Sequence, residues 1–147
     1  MDDSIVVGTD SSDTAKQAVA EAVRLAKALN AQVHLVSAFE PLRARVTGAP
    51  EGAAKVWAPP PDDRVEAILG EAAAGIRIAG LTVTPHAIRG DAADALIEVA
   101  EKVGATMIVV GSQGMHGAQR IRLGNVPNKV SHRARCNVLI VATAAPS

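Results

Sequence analysis

The chain has almost no aromatic side chains: its 147 residues include one Phe, one Trp and no Tyr. Proteins that bind single-stranded nucleic acid stack the bases on aromatic rings, so this composition argues against that class. The formal net charge is zero, with 15 basic and 15 acidic residues. No overall field therefore attracts nucleic acid or an anionic membrane surface, and we expect neither as a partner.

Cysteine and long apolar runs are equally scarce. Cys136 is the single cysteine, so an intrachain disulfide is impossible, which fits a reducing compartment. No apolar run reaches the length of a membrane span, and the opening residues, MDDSIVVG, lack the basic start and long apolar stretch of a signal peptide. The four histidines do not have metal-ligand spacing. We therefore expect a cytoplasmic protein without a metal site of its own.

What the chain does contain is an alternation of apolar runs and amphipathic segments, with 48% hydrophobic residues overall. Short apolar runs predict strands at residues 4–8, 31–39, 81–88, 105–110 and 137–143. Apolar residues at three- and four-residue steps predict helices after residue 12, after about residue 62, at 91–103 and at 125–136. Ser12 or Asp13 is suited to cap the first helix, and Asn30 to end it. Pro85 suggests that the third strand lies at an edge or carries a bulge.

This alternation predicts one α/β domain over residues 1–147. We expect a doubly wound, five-stranded parallel sheet in the order 3-2-1-4-5, with helices on both faces and right-handed crossovers. Residues 40–63 interrupt the alternation, because they contain a run of three prolines and two glycines. We interpret this segment as a variable loop.

Two strand ends have the composition of a ligand site: Gly8-Thr9-Asp10-Ser11 and Gly111-Ser112-Gln113-Gly114. Ligands bind doubly wound sheets past the carboxyl ends of the strands, where the strand order reverses, and the predicted order brings both loops to that crevice. The second loop continues through GMHGAQRIRLGN to the start of a helix, whose N–H groups and dipole favour phosphate. Because neither a Walker loop nor the dinucleotide fingerprint is present, a plain connection with glycines at its turns remains an alternative.

The pattern Gly111-x2-Gly114-x9-Gly124-Asn125 resembles the G-x2-G-x9-G-[ST] nucleotide motif of the universal stress protein family. The resemblance extends over nearly the whole chain, through IVVGTDSSDTAKQAVAEAVRLA, ADALIEVAEKVGATMIVVGSQG and VPNKVSHRARCNVLIVAT. It implies an adenine-nucleotide α-hydrolase-like fold. It also implies an adenine nucleotide, ATP or cyclic AMP, held between the first and fourth strands, with Mg²⁺ as a companion of the nucleotide.

Carried over by position, the resemblance implies twelve nucleotide-binding residues: Gly8, Thr9, Asp10 and Ser11 beside the adenosine, Ala38 at the base, and Gly111, Ser112, Gly114, Gly117, Gly124, Asn125 and Val126 around the ribose and phosphates. Asn125 replaces the Ser or Thr that ends the motif. Asn caps a helix as well as Ser does, but a hydroxyl contact to the terminal phosphate or to a metal beside it is lost. The choice among ATP, AMP and cyclic AMP therefore stays open.

In function, the resemblance implies a regulatory or nucleotide-buffering homodimer in the stress response. Pairing through the apolar edge strand 137–143 would cover a sheet edge that otherwise invites association. A slow ATPase or phosphotransferase is one alternative, because positioning and charge stabilisation supply much of phosphoryl transfer. The glycine loop contains no clear general base, so no catalytic residue is assigned. A nucleotide-independent interaction module is the second alternative.

Overall fold

The computed structural model describes residues 3–39, 61–112 and 125–143. Within these ranges there are five strands: β1 (Ser4–Gly8), β2 (Gln32–Phe39), β3 (Val83–Arg89), β4 (Met107–Gly111) and β5 (Asn137–Val141). The helices are α1 (Asp13–Leu29), α2 (Pro61–Ile78), α3 (Ala92–Val103) and α4 (Asn125–Arg133). Most of the segment interpreted as a variable loop, residues 40–60, lies outside the described residues, and its end forms the start of α2.

The five strands form one parallel sheet in the order β3-β2-β1-β4-β5. This confirms the predicted strand order and doubly wound topology. β1 is the central strand: β2 and β3 follow one another on one side of it, and β4 and β5 follow one another on the other side. In the central strand, Val6 pairs with His34 of β2 on one side and with Ile108 of β4 on the other. Pro85, which has no N–H to donate, lies in the edge strand β3 as expected.

Two apolar clusters, one on each face of the sheet, hold the helices in place. On the first face, α1 turns small residues toward Ile5 and Val7, which allows the helix backbone to approach closely. These small residues, each at most 2% exposed, are Ala18, Ala22 and Ala26. On the second face, α3 and α4 pack against Val6 and Ile108. Successive residues of β1 therefore point to opposite faces, and helices cover both.

The helix ends follow the predicted capping chemistry. Ser12 caps α1, because its side chain accepts a hydrogen bond from the backbone N–H of Ala15 at 3.2 Å. Asn30 ends the same helix in the left-handed conformation, with φ of 55°. At α3, Asp91 caps the start of the helix and Gly104 ends it in the left-handed conformation.

Several predicted boundaries are wrong by one to three residues. The N–H of Ala31 donates to the carbonyl of Ala26, and the N–H of Ala105 to that of Ala100, both at 2.9 Å. These bonds belong to the helix ends, so β2 begins at Gln32 rather than residue 31, and β4 at Met107 rather than residue 105. The third strand likewise begins at residue 83, α4 ends at 133 and β5 at 141. In the described part of the chain, no helix is long and apolar enough to span a membrane.

His34 lies in β2, as predicted, and forms a pair with His86 of β3. The Nδ1 atom of His34 is 3.0 Å from the Nε2 atom of His86, so one ring donates to the other. Burial lowers the pKa of His34, and burial followed by the charges of His34 and Lys102 lowers the pKa of His86. Within the described ranges, no group of three or more His, Cys, Asp or Glu side chains is placed to hold a metal ion.

These lowered pKa values predict that the protein loses stability on mild acidification. The unfolded chain, whose histidines titrate near about 6.5, binds more protons than the folded chain just below that pH. The free energy of unfolding is therefore highest above this pH and decreases as the pH falls through about 6.5 toward the lowered values. Asp91 has a lowered pKa as well, but as a carboxylate it loses its contribution only below about pH 4.

Urea unfolding between about pH 5.5 and 7.5 would measure this decrease. A double variant, His34→Gln with His86→Gln, keeps polar side chains at both positions and is expected to flatten the dependence on pH. An equal slope in the variant and the parent protein would contradict the assignment to this pair.

Candidate functional site

A cavity opens where β1 and β4 end, at the point where the chain changes direction across the sheet. It holds about 640 Å³ of space when the open solvent at its mouth is included. Val36, Val109 and Val110 of the central strands form its apolar base. This is the position at which doubly wound sheets bind ligands.

The loop after β1 is held by its own side chains. The N–H of Thr9 donates to the carbonyl of Val36 at 2.9 Å, which ties the loop to β2. The Oδ1 atom of Asp10 accepts the N–H of Ser12 at 2.9 Å, and the hydroxyl of Thr9 accepts the N–H of Ser11 at 3.2 Å. This arrangement fixes Asp10 at the cavity wall and leads directly into α1.

The first turns of three helices reach the cavity. The wall includes Thr14 and Ala15 of α1, Ala92 of α3, and Val126 and Pro127 of α4. The N-terminus of each helix has a partial positive charge of about one half, and first-turn N–H groups remain there besides those already bonded to the caps Ser12 and Asp91. Among the residues that line the cavity, Asp10 is the one charged side chain in the described part of the chain. The site therefore combines apolar walls with helix starts that favour an anion, while the carboxylate of Asp10 disfavours one on its own side of the cavity.

The cavity remains open because its wall uses small residues. Gly8 ends β1 directly below Leu96 of α3, and a Cβ atom on Gly8 would lie 3.3 Å from the Cδ2 atom of Leu96. The absence of a side chain at residue 8 therefore lets α3 pack closely over the end of β1. Small residues on α1, β2 and α3 also line the cavity, namely Ala15, Ala18, Ala38 and Ala92.

The structure brings together half of the twelve residues predicted from sequence. Those that line the cavity are Gly8, Thr9, Asp10, Ala38, Gly111 and Val126. Three others, Gly114, Gly117 and Gly124, lie outside the described residues. Ser11 and Asn125 are exposed beside the cavity and are not part of its lining.

Ser112 also lies outside the cavity lining, because it faces the end of β5. Its N–H donates to the carbonyl of Val141 at 2.8 Å. Its hydroxyl accepts the N–H of Thr143 at 3.1 Å. Ser112 therefore connects the end of β4 to the end of β5.

Sequence reasoning missed the lining residues that come from helix starts and from the strand interiors. Among them are Ser12, Thr14, Leu96 and Pro127. The sequence does contain a signal for Ser12, Thr14 and Pro127, because they lie at the predicted starts of helices. The first turn of a helix that follows a strand lies at the same sheet edge as the ligand crevice. Leu96 has no such signal, because it reaches the cavity only through the packing of α3.

The fold and the cavity define a doubly wound α/β protein with a ligand site at the switch point of the sheet. Comparison with known proteins shows to which family within this class the chain belongs. Residues 1–142 match the sequence model of the universal stress protein family. The chain is 35% identical over 143 residues to universal stress protein Rv1636 of Mycobacterium tuberculosis, with 95% of each chain covered. This protein belongs to the universal stress protein family.

Two solved structures are relevant to the site. One is a universal stress protein in complex with cAMP, which is 32% identical, has a TM-score of 0.73, and is matched over 97% of this chain and 98% of its own. Another is the universal stress protein of Archaeoglobus fulgidus in complex with dAMP, at 22% identity and a TM-score of 0.67, with 94% and 96% coverage. The second likeness extends the shared fold to a more distant sequence. Both of these relatives bind adenine nucleotides.

Proposed function

We propose that this protein binds an adenine nucleotide, ATP or cyclic AMP, in the cavity at the ends of β1 and β4. The observation that carries the proposal is the convergence of three helix starts on a cavity with apolar walls. An adenine base matches the apolar part, and phosphate matches the N–H groups at the helix starts. The solved relative in complex with cAMP is similar over nearly the full length of this chain, which supports the same ligand class.

The proposed binding mode assigns different parts of the ligand to different elements. Thr9, Asp10 and Ser11 flank the adenosine, and Ala38 lies against the base. The start of α4, with Asn125 and Val126, faces the phosphates together with the glycine-rich segment that precedes it. Thr9, Asp10, Ala38 and Val126 line the cavity, which supports this assignment. Mg²⁺ is proposed as a companion of ATP only.

We further propose that the protein acts as a regulatory or nucleotide-buffering homodimer in the cytoplasm during stress. β5 is the last strand in the sheet order, and its residues 138–141 are apolar and only partly buried. Pairing of two β5 strands would cover this edge. The relatives carry stress-protein names, which supports the biological role.

Thermal unfolding in the presence of ATP, ADP, AMP or cyclic AMP, with and without Mg²⁺, tests nucleotide binding. A ligand at about 100 times its dissociation constant stabilises the folded state by about 2.7 kcal/mol, which corresponds to a rise of roughly 5–10 °C at this chain length. We expect this rise with ATP or cyclic AMP. Guanosine nucleotides are the matched control, since they keep the phosphates and change the base.

The protein must first be freed of co-purified nucleotide, because a site that is already filled would show no rise. Unfolding and refolding remove the nucleotide, and the absorbance of the protein shows whether any is left. If none of the four adenine nucleotides then raises the unfolding temperature, the proposed function is wrong. An equal rise with guanosine nucleotides would contradict the claim that the site recognises the adenine base. Release of phosphate in the same samples, reduced in an Asp10→Asn variant, would favour the alternative of a slow ATPase.

A further inference from the structure

On one side of the cavity, the wall consists of two helix starts that pack on the same face of the sheet. Ala92 and Leu96 belong to the first two turns of α3, and Val126 and Pro127 to the first turn of α4. Val130, one turn further along α4, is fully buried in the same apolar cluster as the inner residues of α3. The shape of this wall therefore depends on how the start of α4 is held against the start of α3.

Four charged side chains connect the start of α3 to the middle and the last residue of α4; we call them the Lys129 cluster (Asp91, Asp94, Lys129 and Arg133). The Nζ atom of Lys129 lies 3.1 Å from the Oδ2 atom of Asp91 and 3.2 Å from the Oδ1 atom of Asp94. Nη1 of Arg133 donates to the same Oδ1 atom of Asp94 at 2.7 Å. Lys129 is thus bonded to the capping carboxylate of Asp91 and to the carboxylate of Asp94 in the first turn of α3, while lying within one turn of the cavity-lining Val126.

The cluster is built on a helix cap and is only partly open to solvent. Asp91 caps α3 by accepting the N–H of Asp94 at 3.0 Å. That bond, together with the ammonium of Lys129, lowers the pKa of the Asp91 carboxyl, and the carboxylates of Asp91 and Asp94 raise the pKa of Lys129. The exposed fraction of the side chain is 32% for Lys129, 38% for Asp91, 51% for Asp94 and 55% for Arg133, against 86% for Arg135. Solvent screening is therefore weaker at Lys129.

A second ion pair connects the same part of the fold at the opposite end. Nε of Arg135, just beyond α4, lies 3.9 Å from Oε2 of Glu101 in the last turn of α3. Neither residue lines the nucleotide cavity. Arg135 is therefore a matched control: its loss removes one positive charge and one ion pair with α3, but at the end away from the ligand.

We propose that Lys129 is a positioning residue of the nucleotide site, which holds the first turn of α4 against the capped start of α3 and thereby sets the affinity for nucleotide. This inference rests on the proposed function, since it concerns the same cavity. Lys129 acts through Asp91 and Asp94, and the N–H groups at the start of α4 are what it positions. Its own charge, already neutralised by two carboxylates, contributes little direct attraction for phosphate.

Isothermal titration with cyclic AMP and with ATP on five proteins tests this inference: the parent, Lys129→Met, Lys129→Arg, Asp94→Asn and Arg135→Met. We expect Lys129→Met and Asp94→Asn each to weaken nucleotide binding by about fivefold, which is the size of effect expected for an ion pair in a partly exposed setting. Arg135→Met should leave the affinity unchanged. Lys129→Arg, which keeps the charge and the donors, should retain parent affinity. Without nucleotide, all four variants should unfold within about 3 °C of the parent.

The two central variants separate positioning from simple attraction of charge. Lys129→Met removes a positive charge and Asp94→Asn a negative one, so an electrostatic effect on an anionic ligand would have opposite signs. Tighter binding by Asp94→Asn, or parent affinity in Lys129→Met, would overturn the inference while the proposed function stands. If the parent protein itself binds neither nucleotide, the proposed function fails, and this inference fails with it.

Discussion

Ala38→Phe is expected to weaken nucleotide binding by at least about 100-fold, or about 2.7 kcal/mol. Ala38 lies near the end of β2 and lines the cavity with a partly buried methyl group. A phenyl ring at this position fills space that the base would occupy. The ring also finds apolar partners, because Ala38 already packs against the cluster on the second face of the sheet. Titration with cyclic AMP and ATP would measure the loss, with circular dichroism to confirm the fold.

Ala87→Phe is the matched control for this variant. Ala87 lies in the neighbouring strand β3, is exposed, and does not line the cavity. The same enlargement there should leave the dissociation constant within about twofold of the parent value, since exposed substitutions away from a site change little. Parent affinity in Ala38→Phe would mean that the bound nucleotide does not occupy this part of the cavity.

Leu139→Lys is expected to convert the proposed homodimer into monomers. Leu139 is in the middle of the edge strand β5 and is only partly buried. In a twofold dimer each substitution occurs twice at the same interface, so two ammonium groups are brought together where apolar side chains met. We expect the dimer to weaken by at least about 1,000-fold, or about 4 kcal/mol. Light scattering at several protein concentrations would measure the mass.

Two further variants keep this test decisive. Val141→Lys places the charge at the end of the same strand, in case the central position destabilises the fold. Ile88→Lys places it on the opposite edge strand, β3, at a residue with similar partial burial. The control should keep the mass of the parent. A parent protein that is monomeric, or β5 variants that remain dimeric, would contradict pairing through this strand.

Much of the fold could be predicted because its signals are local. Ile5, Val6 and Val7 form a continuous apolar run, as expected for a strand covered on both faces. The alanines of α1 recur on one helical face, and its caps are the residue types that caps require. The starts of β2 and β4 were wrong by one and two residues, because hydrogen bonds across the left-handed residues Asn30 and Gly104 extend the helix ends.

The site was less predictable, because only part of it follows from the ends of strands. Thr9, Asp10 and Gly111 lie at the cavity since parallel strands end at one edge of the sheet. Leu96 depends on how α3 crosses β1 above Gly8, which is a long-range packing event without a local signal. Ser112 continues the strand-end pattern, but its bonds to Thr143 and Val141 turn it toward β5.

The position of β1 in the sheet also affects how the protein is made. Residues emerge from the ribosome in chain order, so β2 can pair with one edge of β1 early in synthesis. The other edge waits for β4, since Val6 pairs with Ile108. The strand that ends up in the centre is therefore an open, apolar edge during most of translation, and such edges recruit other chains. Products that stop before Met107 retain this edge and lack five of the sixteen described residues that line the cavity, so we expect nucleotide to stabilise them less than the full chain.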